Sequence, residues 1–274
     1  MFAFPLRLLR SARLPALMLL IAAAATGCAT RIEQTTATTE GEAEARPGLR
    51  IRFQDRSLSP DNGGQRVPVS ALRPGDIVLT AKNGLASLGI RLATLSPVSH
   101  AALYLGDGQI VEAVGDGVRL RHIDALMDEE AMVVAFRHPG TTAQTVAGLR
   151  EFAQQKVGSR YGYVGVLLHA PFSIERRVCE LPLVPGLVRE FCMRGVALVQ
   201  LGSGSNDRFF CSQLVLEAYR HAGLPLTSAH PRWISPADIL HMRAGDVPSM
   251  QVTQPLDYVG HLKYPVAGER VASE

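Results

Sequence analysis

A thiol, an imidazole and a carboxylate, brought together, can carry out acyl transfer, and this chain holds a candidate for each. The thiol is Cys211, in the stretch Asp207-Arg208-Phe209-Phe210-Cys211-Ser212-Gln213-Leu214-Val215. Leu214, Val215, Ala218 and Ala222 fall on one apolar stripe, and Gly223 followed by Pro225 supplies a stop, so the spacing predicts a helix with Cys211 in its first turn. There the unpaired N–H groups and the positive end of the helix dipole favour thiolate, the reactive form. A buried, inert cysteine is the competing reading of the same position. A thiol nucleophile also needs a base in hydrogen-bond reach and a third group to orient that base. His100 is the candidate base, because its ordinary pKa lies near neutrality, and Glu112 is the candidate orienting carboxylate. Backbone N–H groups at the helix start, that of Cys211 included, would hold an oxyanion. Tyr161 is a candidate cleft residue, with a core tyrosine as its alternative.

For His100 and Glu112 to cooperate, the elements that carry them must place both on one face. Ser99-His100-Ala101-Ala102-Leu103-Tyr104-Leu105-Gly106-Asp107-Gly108-Gln109-Ile110-Val111-Glu112 has two short apolar runs around Gly-Asp-Gly, a hairpin signal. A two-residue turn at Asp107-Gly108 would pair Glu112 with Leu103 and point it away from His100. A three-residue loop over Gly106–Gly108 pairs it with Ala102, one diagonal step from His100, where backbones are about 7–8 Å apart and long side chains meet. Glycine at the third loop position suits the longer loop, which is therefore expected.

The remaining chain supplies further elements. Pro74-Gly75-Asp76-Ile77-Val78-Leu79 reads as a turn feeding a strand, and a short helix is expected over 85–95. Strands are predicted at Gly117–Arg121 and Met132–Phe136, with a helical turn over Ile123–Met127 between them. Thr141–Val157 reads as a helix with Val146, Leu149, Phe152 and Ala153 on one stripe and Gly158 past its end. Ser235-Pro236-Ala237-Asp238 looks like a capped start of a helix running to Met242, and 250–264 is expected to add a last strand. The insertion from Ile174 to Val199 carries no readable pattern. The fold class is α+β, an antiparallel sheet packed against helices with the cysteine at a helix N-terminus.

The N-terminal region reads as an address. Arg7, Arg10 and Arg13 precede an apolar run from Leu14 to Ala25 and small residues ending at Thr26-Gly27-Cys28, the pattern of a secretory signal over residues 1–27. Its run is too short for a spanning helix and contains Pro15. The expected division is a tether over 28–48, too poor in large apolar residues to order itself, a folded domain over 49–265 and a frayed end over 266–274. The formal net charge of +3 falls to about zero without the three signal arginines, so the composition offers no basic face for nucleic acid. Of the four cysteines, Cys179 and Cys192 flank a proline-rich segment and are a candidate disulfide, worth about 3 kcal/mol on the loop-entropy argument. A bridge that uses Cys211 stays open.

Two resemblances add to this reading. Thr26-Gly27-Cys28 resembles the lipobox of bacterial lipoproteins, with Ala25 where that pattern usually has leucine; the resemblance implies lipidation at Cys28. Ala29 stands where aspartate would signal inner-membrane retention, implying an outer-membrane anchor facing the periplasm. Ser-His-Ala-Ala-Leu-Tyr-Leu-Gly-Asp-Gly, then Ile-Val-Glu-Ala, then Phe-Cys-Ser-Gln-Leu-Val resemble the circularly permuted NlpC-type papain-like hydrolases, most of all their YiiX/YaeF-type group and more distantly lecithin retinol acyltransferase. Pro74 to Val78 and the Gly-x-x-Tyr at Gly158 to Tyr161 match that group too. The resemblance implies a permuted papain-like fold, with Cys211 as nucleophile, His100 as base and Glu112 as third polar residue.

These observations frame several functions. The first is a lipid-anchored envelope thiol hydrolase cleaving an amide, with peptide or peptidoglycan as substrate. The second keeps the triad but acts on a lipid ester or thioester, or transfers an acyl group, and an apolar groove beside Cys211 would favour it. The third is an envelope binding lipoprotein with a vestigial site, favoured if Cys211 were bridged or distant from His100. The sequence implies no cofactor, has no Cys-x-x-Cys for redox work and has no His-Glu-x-x-His for a metal.

Overall fold

The computed structural model describes residues 31–34, 49–52, 59–60, 63–83, 96–161, 208–244, 246 and 252–265. In chain order the elements are β1 (Arg31–Gln34), β2 (Leu49–Arg52), β3 (Ile77–Ala81), β4 (His100–Gly106), β5 (Gln109–Val114), β6 (Gly117–His122), α1 (Ile123–Glu129), β7 (Met132–Arg137), α2 (Ala143–Lys156), β8 (Arg160–Tyr161), β9 (Arg208–Phe209), α3 (Cys211–His221), α4 (Pro236–Leu240) and β10 (Asp257–Lys263). Six strands form one antiparallel sheet in the order β10-β7-β3-β4-β5-β6. The fold is α+β, as the sequence indicates.

Strand alternation divides the core in two. Ile77, Leu79, Ala101, Leu103, Val111 and Phe136 face the helices α2 and α3, packing on Leu149, Phe152, Leu214, Val215 and Ala218. Val78, Ala102, Tyr104, Ile110, Val133 and Ala135 face the other way, under Ile123 and Leu126 of α1. Since β3 is central and covered on both faces, every residue from Ile77 to Ala81 is buried, which explains its run Ile77-Val78-Leu79 with apolar residues at successive positions.

The turn before β3 locks several of these parts together. Gly75 N–H donates to the Tyr104 carbonyl at 2.7 Å and Tyr104 N–H to that of Asp76 at 2.8 Å. The buried Asp76 carboxylate accepts Arg137 Nε at 2.7 Å and Nη2 at 2.6 Å, and Arg73 N–H at 2.8 Å. Tyr219 of α3 donates its hydroxyl to the Gly75 carbonyl. The Pro-Gly-Asp segment is thus the joint between the hairpin, β7 and α3.

The β4–β5 hairpin reaches the expected register by a different route. Ala102 pairs with Glu112, but Gly106 pairs with Gln109, so the turn proper is the two residues Asp107 and Gly108, both left-handed at φ 53° and 73°. The register shift falls between Tyr104 and Gly106, where Leu105 is the extra residue of a β-bulge. Its side chain is buried, and its carbonyl accepts Arg150 Nε of α2 at 2.8 Å. Position 108 favours glycine, because its φ of 73° is left-handed and a Cβ there would meet the His122 ring.

Smaller differences have local causes. Leu149, Phe152 and Ala153 of α2 are buried as expected, with Thr145 rather than Val146 as the fourth. The capping box between Ser235 and Asp238 is present, and α4 stops at Leu240 rather than Met242 as His241 leaves the helix at ψ 2°. In the expected tether, β1 is a strand that pairs antiparallel with β2, with Ile32 in register with Ile51. The helix expected over 85–95, the segment 174–199, the end from Val266, and Cys28, Cys179 and Cys192 lie outside the described residues. No described helix is long and apolar enough to cross a membrane.

Candidate active site

His100 opens β4, and the Ala102–Glu112 pairing sets it diagonally across from Glu112 on the α1 face of the sheet. Nε2 of His100 lies 2.8 Å from Oε2 of Glu112. Glu112 is 1 % exposed, and its other oxygen is also satisfied: Oε1 accepts Nε and Nη2 of Arg119 at 2.9 and 2.8 Å and Nη1 of Arg121 at 3.3 Å. Burial alone would raise this carboxyl, but the hydrogen bonds and charges of His100 and Arg119 hold it down at about 2, so it is a carboxylate at neutral pH.

Cys211 arrives from the other side of the sheet. As the first residue of α3, whose apolar stripe packs on the opposite face, it reaches the end of the sheet where β4 begins. It is a free thiol, 6 % exposed, and hydrogen-bonded to the His100 side chain. Burial would lower the imidazole, yet the hydrogen bonds to Cys211 and Glu112 and their charges raise it from 6.5 to about 10. The imidazole is therefore the cation at neutral pH, between two groups that favour its charge.

The helix start is held from several directions. Ser212 Oγ donates to the Ile234 carbonyl at 2.5 Å, and Leu214 N–H donates to that of Phe210 at 3.0 Å. The N-cap residue Phe210 is extended and its side chain makes no cap hydrogen bond to the first turn of α3. Just upstream, β9 pairs in parallel with β8, which sets the Tyr161 backbone level with Phe209. What the Tyr161 side chain does lies outside the described residues.

His100, Glu112 and Cys211 line one cleft of about 230 Å³, with Ser99, Arg119 and Glu130 among its other walls. Arg119, Arg121 and Glu130 were not singled out from sequence. The two arginines left a readable signal: Gly117-Val118-Arg119-Leu120-Arg121 alternates, and a two-residue turn at Gly115-Asp116 puts Arg119 opposite Glu112, as observed. Glu130 left none, since the residue after a short helix has no face that periodicity assigns. No group of three or more His, Cys, Asp or Glu suited to a metal ion occurs among the described residues.

The chain is 36 % identical over 254 residues to the probable lipoprotein peptidase YaeF of Escherichia coli strain K12, covering 91 % of this chain and 90 % of that protein. The chain belongs to the YaeF family. No protein-family model matches it. Among solved structures, metalloprotein yiiX of Escherichia coli O157:H7 aligns with a TM-score of 0.41 at 18 % identity, over 70 % of this chain and 98 % of that one.

Proposed function

We propose that this YaeF-family chain is a lipid-anchored cell-envelope cysteine peptidase or amidase of permuted papain-like type. The observation that carries the reading is the contact series from Cys211 at a helix start, through a cationic His100, to a Glu112 carboxylate. Cys211 Sγ attacks the amide carbonyl carbon, and the C–S bond forms as the oxyanion settles against first-turn N–H groups. His100 then gives its proton to the leaving nitrogen, the C–N bond breaks, and an acyl-enzyme remains. Water, deprotonated by His100, attacks that thioester; the C–S bond breaks, the acid product leaves and the thiolate–imidazolium pair is restored.

The relative's name as a lipoprotein peptidase supports both the reaction class and the envelope location, with Cys28 as the lipidated residue and peptide or peptidoglycan as substrate. The order histidine, glutamate, cysteine along the chain supports the permuted arrangement. Charged side chains (Lys82, Arg119, Arg121, Glu130) line much of the cleft, and this favours an amide over a lipid acyl chain. The free Cys211 thiol and its bond to His100 favour catalysis over a vestigial site.

The test is alkylation of the purified chain by iodoacetamide across pH, with the adduct located by mass, together with turnover of peptidoglycan-derived peptides. Rapid labelling of Cys211 well below pH 8.5, lost in His100→Ala, is the expected result. Labelling that ignores His100 overturns the reading.

A further inference from the structure

Beyond the proposed triad, the cleft wall contains another buried acid. Glu130, 3 % exposed, follows the last residue of α1, where the backbone leaves the helix at φ −94° and ψ 142°. It lines the same cleft as His100 and Cys211. Oε2 is buried and has no hydrogen-bond partner among the described residues, and Oε1 lies 3.9 Å from the ammonium of Lys82. Lys82 is engaged more closely by Glu129, at 2.6 Å.

A buried carboxyl that lacks full hydrogen bonding costs stability, and an apolar side chain would fill the same space without that cost. The position of Glu130 explains the expense. Thr80, whose hydroxyl neighbours the Glu130 carboxyl, is the residue paired with His100 in the β3–β4 ladder. The acid therefore stands on the β3 side of His100, whereas Glu112 approaches from β5.

We propose that Glu130 is a positioning residue for His100, placing a second negative charge near the imidazolium and holding its proton for the leaving group. The inference rests on the thiol-hydrolase reading of the site. The charged and titratable groups around Glu130 are Lys82 from the end of β3, His100 from β4, Glu112 from β5, Arg119 and Arg121 from β6, Glu129 from α1 and Cys211 from α3. Burial pushes the Glu130 carboxyl above its ordinary value, and the charge of His100 is the largest influence pulling it back. Once ionised, Glu130 stabilises the imidazolium and so keeps the catalytic acid loaded to higher pH.

The experiment compares kcat/KM against pH on a peptidoglycan-derived peptide for wild type, Glu130→Gln and Glu130→Asp, with iodoacetamide labelling of Cys211 and circular dichroism on each. In Glu130→Gln the alkaline limb moves to lower pH by up to about one unit. There kcat falls with KM unchanged, labelling of Cys211 persists, and Glu130→Asp restores part of the shift. A Glu130→Gln profile that superimposes on wild type overturns the proposal. So does loss of the folded circular dichroism signal in both variants, which makes Glu130 a folding residue. Failure of the underlying reading looks different: wild-type labelling is then already indifferent to His100→Ala.

Discussion

His100 Nε2 and Glu112 Oε2 are 2.8 Å apart because the hairpin between them contains one extra residue, Leu105, and not because of the turn alone. An uninterrupted pairing from the two-residue turn would set Glu112 opposite Leu103, on the helix face of the sheet. The bulge returns it to the face of His100. On the proposed mechanism, this contact sets the tautomer and charge of the base. Cys211→Ala and His100→Ala are expected to lower kcat/KM by at least about 10³-fold while leaving the circular dichroism spectrum unchanged. Turnover of purified variants on a peptide amide checks both.

Glu112→Gln is expected to cost about 10²-fold, less than loss of the thiol, since it removes the charge but keeps an acceptor for the His100 N–H. It also removes the carboxylate partner of Arg119, while Arg121 keeps Glu129 at 2.8 Å. The alkaline limb of kcat/KM, which in wild type lies toward the raised His100 value of about 10, should fall in the variant. A pH–rate profile measures the displacement.

Folding stability should respond to the same pair at both ends of the pH range. His100 is raised from 6.5 to about 10, so its contribution is complete below 6.5 and is lost as pH rises toward about 10. Glu112 is lowered from 4.5 to about 2, so its contribution is complete above 4.5 and is lost as pH falls toward about 2. Urea midpoints should decline on both sides of the interval between 4.5 and 6.5. His100→Ala should flatten the alkaline decline.

Arg150 reaches from α2 to the carbonyl of the bulge residue Leu105 at 2.8 Å, far from the cleft. Removing it leaves that carbonyl without its tertiary partner and loosens the strand that carries His100. Arg150→Ala is expected to lower kcat about tenfold with little change in KM, because the loss is one of orientation. Steady-state kinetics on the purified variant test this.

Asp76 holds the joint before β3 through its two bonds to Arg137. Asp76→Ala leaves the guanidinium without its main partner and should destabilise the fold by about 3 kcal/mol. In a domain of this size that lowers the melting temperature by about 6–12 °C, measurable by thermal denaturation.

Much of the site was legible because its signals are local. The start of α3 is marked by the apolar stripe behind Cys211 and the Gly223 stop, and short-range periodicity is what one chain carries most clearly. The hairpin was legible from Gly-Asp-Gly between apolar runs, and the next strand, β6, from its alternation, although Arg119 and Arg121 on it were not singled out. The bulge at Leu105 was not, because the partner that satisfies its carbonyl is a guanidinium forty-five positions away in sequence. The short helix α1 was legible, but not that the residue after it turns into the cleft.

The sequence by itself determined that there would be a thiol at a helix start, a hairpin carrying a histidine and a glutamate, and an α+β arrangement to hold them. These follow from residue type and spacing over a turn of helix or a few residues of strand. Only the tertiary structure decided that Cys211, on a helix packed against one face, meets His100 from the other at the end of the sheet. It also decided that both arginines close on Glu112 and that Glu130 joins the wall. Such meetings depend on bulges, sheet order and packing, whose energies come from residues far apart in the chain.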